Sequence, residues 1–204
     1  MNWHLFSAFL VIAVVLYITP GPIVTLVVTT GARSGIRAAL ITVTGGVMGN
    51  AVLLACIAFG LSWILERSAE VFEVLRWVGA AYLMWLGIQA WRRADSADEI
   101  AQPGDHLYAW RGFIVAITNP KTIAFFTAFL PQFVDPALPA DRQLLVMCVT
   151  SVVLGGLIDA GWAIASGLGR AWFVRPKQKK LLNRISGLVL IGGGIWLSLA
   201  RRQI

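Results

Sequence analysis

Two charged side chains are the residues of this sequence best placed to do chemistry. Lys121 and Asp159 each lie well inside an otherwise apolar segment. A charge at the centre of a membrane helix costs about 2.5–3.5 kcal/mol on insertion scales, so both side chains should face protein or water. A proton-coupled carrier needs a carboxyl group whose pKa can be moved by burial and by a nearby cation, and Asp159 could supply it. The alternative is a static Lys121–Asp159 ion pair, and the two are compatible if the pair opens during transport.

Two proline motifs interrupt apolar segments: Pro20-Gly21-Pro22 lies in the first segment of the chain, and Asn119-Pro120 directly precedes Lys121 in the fourth. Proline removes a helical hydrogen bond and clashes with the preceding turn, so the first motif should break its helix. Paired broken helices in a membrane protein point to a transport site near the midplane. Freed N–H groups favour a carboxylate and freed carbonyls an ammonium group, which together suit a zwitterion. The alternative is a simple proline kink.

Uncharged polar residues at or near membrane depth complete the candidate site. Asn50, Asn119 and Gln132 can hydrogen-bond a substrate or hold neighbouring helices together. The residues predicted to take part in substrate binding or transport are Pro20, Gly21, Pro22, Asn50, Asn119, Pro120, Lys121, Gln132 and Asp159.

No catalytic residue, metal site or cofactor is predicted. His4 and His106 lie apart, near the start of the chain and in a loop, so neither belongs to a cluster of metal ligands. Cys56 and Cys148 lie in apolar runs without the paired spacing of a disulfide framework or a zinc site. An enzyme would need a nucleophile with its base, or several metal ligands, at one depth. We therefore do not expect an enzyme.

The elements that must position these residues are membrane helices. The chain is 58% hydrophobic and only 13% charged, which excludes an ordinary soluble domain. A helix needs about 20 apolar residues to cross a bilayer. Six candidate spans follow in residues 5–32, 38–65, 77–91, 112–134, 143–169 and 185–200. The third and sixth tracts are short and reach full length only as residues 69–91 and 181–200.

These spans predict an all-α integral membrane protein built as two inverted three-helix repeats, with helices one and four broken. The proline motifs occupy corresponding places in the two halves, and Gly45-Gly46 corresponds to Gly155-Gly156. An odd number of spans per half forces the second half to enter the membrane from the opposite side. We expect one transporter domain over residues 1–204, with repeats at roughly 1–95 and 108–204 and a cytoplasmic linker at 92–111.

The distribution of basic residues predicts the orientation. The net charge is +7, and the loops after spans one, three and five carry most of the 17 basic residues. These are Arg33, Arg37, Arg92, Arg93, Arg111, Arg170, Arg175, Lys177, Lys179, Lys180 and Arg184, whereas the other side holds Arg67, Arg76, Arg142, Arg201 and Arg202. The positive-inside rule places those three loops in the cytoplasm and both termini in the periplasm. The positive charge thus indicates a lipid bilayer as partner rather than a nucleic acid.

Several of these motifs together resemble the lysine exporter superfamily, most closely its homoserine and threonine resistance branch. They are Thr19-Pro20-Gly21-Pro22, Gly45-Gly46, Thr118-Asn119-Pro120-Lys121, the run Phe129-Leu130-Pro131-Gln132-Phe133-Val134-Asp135-Pro136, and Asp159. The likeness covers nearly the whole chain. It implies a multi-pass protein of the bacterial inner membrane that exports small, mostly neutral amino acids such as homoserine, threonine or leucine, in exchange for protons.

The resemblance leaves alternatives of cargo and class. Some exporters of basic amino acids in the superfamily carry an acidic residue in span two, where this chain has Gly49-Asn50, which disfavours lysine and arginine as cargo. Other branches export divalent or heavy-metal cations, but such a site wants clustered ligands, and Asp159 is the one carboxylate deep in a span. A membrane enzyme and a purely structural subunit are further alternatives. A homo-oligomer is left open.

Overall fold

The chain is helical almost throughout the computed structural model, which describes residues 1–67, 69–92, 107–173 and 175–199. Arg93, most of the predicted linker, and the C-terminal Arg201 and Arg202 lie outside the described residues. The helices found in the described ranges are α1 (Trp3–Ile18), α2 (Pro22–Ser34), α3 (Ile36–Arg67), α4 (Ala69–Arg92), α5 (Tyr108–Ile117), α6 (Pro120–Phe129), α7 (Ala140–Leu168), α8 (Arg170–Phe173) and α9 (Pro176–Leu199). A single 3-10 turn, Leu130–Phe133, continues α6.

Three of these helices are long and apolar enough to cross a membrane. They are the stretch Ile36–Gly60 of α3, the whole of α7, and the stretch Lys180–Leu199 of α9. Two bent pairs, α1 with α2 and α5 with α6, pass the same test when each pair is taken as one span, which makes five. The prediction of an all-helical, multi-pass membrane protein is therefore confirmed. The predicted third span forms α4, a 24-residue helix that is not among these candidates.

Both breaks lie at the predicted proline motifs. The axes of α1 and α2 differ by 46°, and those of α5 and the segment Pro120–Phe133 differ by 40°. Pro22 and Pro120 each begin the following helix, where their missing N–H group removes no helical hydrogen bond. Pro20 is different, because it lies where continuation of α1 would require an N–H donor. The sequence therefore ends α1 and begins α2 within four residues.

Glycines let the helices approach closely at several crossings. A side chain at Gly45 would collide with the backbone of Ala109, and one at Gly112 would collide with the carbonyl of Thr42, so α3 and α5 pack backbone to backbone. A Cβ atom at Gly155 would lie 2.6 Å from the ring of Tyr17, which brings α7 against α1. This packing holds polar groups on α1, α5 and α7 at fixed positions around the breaks.

Contacts between turns define the two ends of the bundle. At one end, the Asn2 side chain donates to a carboxylate oxygen of Asp135 over 3.0 Å, joining the start of α1 to the loop before α7. At the other end, Gly35, which has φ +90°, lies against Arg170 between α2 and α3. We call this second end the basic end, after the following residues described there: Arg33, Arg37, Arg92, Arg111, Arg170, Arg175, Lys177, Lys180 and Arg184.

Candidate functional site

The Lys121 side chain joins the two broken helices. It lies at the second position of α6 and is only 4% exposed. Its ammonium group donates to the carbonyl of Leu16 over 2.8 Å and to the carbonyl of Thr19 over 2.7 Å. A single side chain from one break therefore caps the helix that ends at the other break.

Local sequence explains why these two carbonyls accept from a side chain. The carbonyl of Leu16 would normally accept from the N–H of residue 20, but Pro20 has none. Thr19 is the C-terminal cap of α1 and has extended backbone, so its carbonyl lies beyond the regular helix. The negative end of the α1 dipole also favours a cation here. Lys121 provides that cation.

Gly21 makes room for this contact. A Cβ atom at this position would lie 3.1 Å from both the Nζ and the Cε atom of Lys121. The backbone of Gly21 has φ −152°, an extended conformation open to any residue. The glycine is therefore required by the close approach of the lysine and not by its backbone angles.

Asn119 holds the second break in place. Its Oδ1 atom accepts from the N–H of Lys121 over 3.1 Å and caps the first turn of α6. The other end of the amide, Nδ2, is buried without a hydrogen-bond partner. The residue is 1% exposed, so a donor is left unsatisfied inside the protein next to the break.

A central cavity of about 830 Å³ reaches from the breaks toward the basic end. Pro20, Gly21, Pro22, Pro120 and Lys121 form its inner wall. Its other described polar or charged lining residues are Thr25, Thr29, Gln89, Arg111, Asn183 and Ser186. The described lining thus contains two cationic side chains and no carboxylate.

Asp159 lies behind this wall, on α7, and does not line the cavity. It is 1% exposed, and its Oδ1 atom has no hydrogen-bond partner. The carboxylate is near enough to Lys121 and Tyr17 to interact electrostatically with both. Lys121 donates instead to α1, so the static Lys121–Asp159 ion pair considered from the sequence is not formed.

The remaining predicted residues lie away from the cavity wall. Asn50 is 3% exposed on α3, and its Oδ1 atom has no hydrogen-bond partner. Gln132 belongs to the 3-10 turn beyond α6, and its buried Nε2 atom also lacks a partner. The structure thus brings the two proline motifs and Lys121 together, places Asn119 and Asp159 next to them, and leaves Asn50 and Gln132 outside the cavity lining.

Two residues of the site were not singled out from the sequence. Tyr17 is 5% exposed, and its hydroxyl is buried near Asp159 and Ser151. Arg111 lines the cavity, although its sequence position suggested only a role in orientation. Tyr17 stands two residues before Thr19-Pro20, and this proximity to the break is the feature of the sequence that could have identified it.

Comparison with known proteins finds similarity over most of this chain. The family model described as LysE type translocator matches residues 14–201. A homoserine/homoserine lactone efflux protein of Salmonella typhimurium is 35% identical over 98% of this chain and 99% of its own length. A leucine efflux protein of Enterobacter sp. is 28% identical over 92% of each chain. An uncharacterized membrane protein of Vibrio cholerae is 33% identical over 98% of this chain and 100% of its own.

No solved structure matches this chain.

Proposed function

We propose that this chain, which belongs to the LysE type translocator family, exports small, mostly neutral amino acids from the bacterial cytoplasm by proton antiport. The observation that carries the proposal is the central cavity, in which both broken helices and Lys121 meet. Broken helices at one cavity are the usual construction of a transporter's binding site. Relatives named for efflux of homoserine, homoserine lactone and leucine support amino acids as the cargo.

Charge in the cavity supports a cargo with a free carboxylate and no net positive charge. Arg111 and Lys121 line the cavity, and its described lining has no acidic side chain. The first turn of α2 has no side-chain cap, so its N–H groups can donate hydrogen bonds to a bound anion. A lysine or arginine substrate would bring a further cation beside these two side chains. Neutral amino acids are therefore favoured over basic ones.

Proton coupling is assigned to Asp159. A buried carboxylate with an unsatisfied oxygen, close to a movable cation, is a group whose protonation can change as its surroundings change. In this mechanism the protonated and ionised forms of Asp159 belong to different steps of the cycle. The basic end lies on the cytoplasmic side of the inner membrane, and the central cavity opens toward that side.

The architecture that we propose has six spans in two inverted repeats. From the end at Asp135, α1 and α2 run to the basic end, whereas α5 and α6 start at the basic end and run back. The helices α4 and α9 pair closely, with Gly87 against the carbonyl of Gly187. A close partner at α9 supports α4 as the third span, because its polar positions can face protein instead of lipid.

Transport into inverted membrane vesicles tests this function. Vesicles from cells that produce the protein should accumulate labelled L-homoserine or L-leucine when their lumen is acidified, and a protonophore should abolish the accumulation. Vesicles without the protein are the control. Accumulation of L-lysine with no uptake of neutral amino acids would contradict the proposed cargo, and accumulation that survives the protonophore would contradict proton antiport.

A metal-ion cargo makes a different forecast in the same vesicles. Within the described part of the chain, no group of three or more His, Cys, Asp or Glu side chains could hold a metal ion. Uptake of zinc or cobalt in place of amino acids would nevertheless establish the metal exporter as the correct alternative.

A further inference from the structure

The carbonyl pair at the end of α1 has the chemistry of an ammonium-binding site. The carbonyl oxygens of Leu16 and Thr19 converge on one nitrogen, with distances of 2.8 and 2.7 Å. Both accept at the negative end of a helix dipole, which adds to the attraction for a cation. The site lies at the cavity wall, since Pro20 and Lys121 both line the cavity.

The group that occupies this site is chemically the same as the amino group of an amino acid. A lysine side chain ends in a primary ammonium on a flexible stem, and a substrate amino acid carries a primary ammonium on its α-carbon. Both offer three N–H donors and one positive charge. A pair of carbonyls that binds one therefore binds the other, and they cannot bind both at once.

A second position for the lysine ammonium exists nearby. Asp159 is 1% exposed, its Oδ1 atom has no hydrogen-bond partner, and it interacts electrostatically with Lys121. Tyr17 also interacts electrostatically with Asp159, and its hydroxyl is buried in this region. An ammonium that left α1 would meet an unsatisfied carboxylate here and would stay paired inside the protein.

We propose that Lys121 is a tethered competitor of the substrate: its ammonium occupies the substrate's α-ammonium site in the empty carrier, and the substrate displaces it toward Asp159. This inference rests on the proposed function, because it names the part of the amino acid that the site recognises. Substrate binding at α1 and the change at Asp159 are then linked through one side chain. In the carrier without substrate, the Lys121 ammonium also keeps the carbonyls of Leu16 and Thr19 from lying inside the membrane without a hydrogen-bond donor.

The competing role for Lys121 is direct binding of the substrate carboxylate. The two roles differ in sign when the charge is removed. A competitor lowers the apparent affinity of an amino acid, so its removal strengthens binding. A carboxylate ligand contributes to the affinity, so its removal weakens binding. If Lys121 only holds the helices together, its removal changes the affinity neither for an amino acid nor for a carboxylate that lacks the ammonium group.

Equilibrium binding to purified full-length protein in nanodiscs separates these roles. If Lys121 occupies the site for about nine-tenths of the time, Lys121→Met should lower the Kd for labelled L-leucine about tenfold. The hydroxy acid 2-hydroxy-4-methylpentanoate has the same carboxylate and side chain but no ammonium, so its Kd should not fall. Weaker binding of both compounds by Lys121→Met, or equal affinity before and after the change, would overturn the proposal.

A variant that keeps the lysine provides an independent test. In Gly21→Ala, the new methyl group would lie 3.1 Å from Nζ, so the ammonium must shift by a few tenths of an ångström, which weakens its hydrogen bonds to α1 while its charge stays. This variant should also bind L-leucine more tightly. The matched control is Gly46→Ala, whose methyl group meets the Ile23 side chain at the same distance of 3.1 Å, and its affinity should equal that of the native protein. Equal affinities in Gly21→Ala and Gly46→Ala would count against the competitor.

The ammonium site can be tested without any transport substrate. In Lys121→Ala, n-propylammonium replaces the missing part of the side chain, so it should raise the Tm of this variant and leave that of the native protein unchanged. Tetramethylammonium has the charge but no N–H donor and should stabilise neither. No stabilisation by n-propylammonium would overturn the site. Stabilisation without binding of L-leucine or L-homoserine would instead contradict the proposed amino-acid cargo.

Discussion

At the residue scale, Asp159 is the group on which coupling depends. Asp159→Asn keeps the shape of the side chain and removes its titration, so we expect concentrative efflux to fail while exchange of labelled for unlabelled substrate continues. The measurement is L-homoserine accumulation and counterflow in vesicles at imposed pH gradients. Asp141→Asn is the matched control, because Asp141 lies exposed in the first turn of the same helix. Concentrative transport by Asp159→Asn at the native level would exclude Asp159 as the proton carrier.

The double variant Lys121→Met/Asp159→Asn tests whether these residues serve only as architecture. Lys121 and Asp159 form no ion pair but interact electrostatically, so removing both charges leaves neither of them uncompensated, whereas removing one does. With Asp159 as the proton carrier, the double variant should fold and bind substrate but should not concentrate it. Gradient-driven transport by the double variant at matched protein levels would assign both residues to structure alone.

A third residue, Asp135, gives a prediction on pH. Donation from the Asn2 side chain, followed in strength by donation from the Ala137 N–H, lowers the pKa of the Asp135 carboxyl below its usual value. A lowered folded-state pKa contributes stability above the unfolded-state pKa of about 3.9, and this stability is lost as the pH falls through the lower folded-state value. Asn2→Ala should therefore reduce the Tm at pH 7, and the difference from the native protein should shrink as the pH falls below about 4.

Melting curves of the purified protein between pH 7 and pH 3 check this expectation. Asp141→Asn again serves as a control, since it removes an exposed carboxylate from the same end of α7. A Tm difference between Asn2→Ala and the native protein that stays constant over this range would show that the Asn2–Asp135 hydrogen bond has no linkage to protonation.

The sequence allowed the burial of the two charges to be predicted, but not the partner of Lys121. Apolar surroundings and the cost of a charge in hydrocarbon are properties of the sequence near each residue, so Lys121 and Asp159 could both be placed inside the bundle. The acceptors of Lys121 are backbone carbonyls about a hundred residues away, at Leu16 and Thr19. Because every residue has a backbone carbonyl, no pattern of side chains identifies one of them as the acceptor of Lys121. Only the helix break at Pro20 could have indicated these acceptors.

At the element scale, the break between α1 and α2 should be needed for transport. Replacing Pro20 and Pro22 by alanine restores N–H donors that can continue α1, and the Leu16 carbonyl would then accept from the backbone in place of Lys121. We expect the double variant to insert normally and to lose efflux. Pro136→Ala, in the exposed loop before α7, is the control and should leave efflux intact. Normal export by the double variant would show that the break is a simple kink that transport does not need.

The crossing of α3 and α5 gives a second prediction at this scale. A side chain at Gly112 would run into the Thr42 carbonyl, which is rigid backbone. Gly112→Val should therefore destabilise the protein by about 1–3 kcal/mol, the usual range for overpacking. A Cβ atom at Gly161 on α7 would have nothing within 4 Å, so Gly161→Val is the control. Similar losses of Tm in both variants would mean that the penalty comes from valine itself and not from the crossing.

Helices and breaks could be predicted because they depend on local chemistry, whereas the number of spans could not be read as directly. Proline and glycine act on the backbone within one turn, and both predicted breaks are present. The helix α4 carries Glu70, Glu73 and Arg76 within its sequence. Whether such a helix crosses a membrane depends on the neighbours that cover its polar positions, and these are set by the tertiary fold.

At the scale of the whole molecule, the two ends of the bundle differ in charge and in access. The central cavity approaches the end where α4 finishes and α9 begins, and Arg184 lies 5.5 Å from the ring of Trp91 there. At the opposite end, hydrogen bonds among Asn2, Asp135 and Gln143 hold the loop before α7 at the start of α1. A cavity that approaches one end of the bundle is the arrangement expected of one state in alternating access.

This asymmetry leads to a prediction of orientation. Basic residues concentrate in cytoplasmic loops, so the basic end, with the mouth of the cavity, should face the cytoplasm, and both termini should face the periplasm. Alkaline phosphatase folds only after export and green fluorescent protein fluoresces only in the cytoplasm. The phosphatase fused after Ile204 should therefore be active and the fluorescent protein dark, with the opposite results for fusions that replace the chain after Arg92. Fluorescence from the C-terminal fusion, together with an inactive phosphatase, would invert the orientation. It would also turn the cavity toward the periplasm, and the structure would then represent the state that releases substrate instead of the state that receives it.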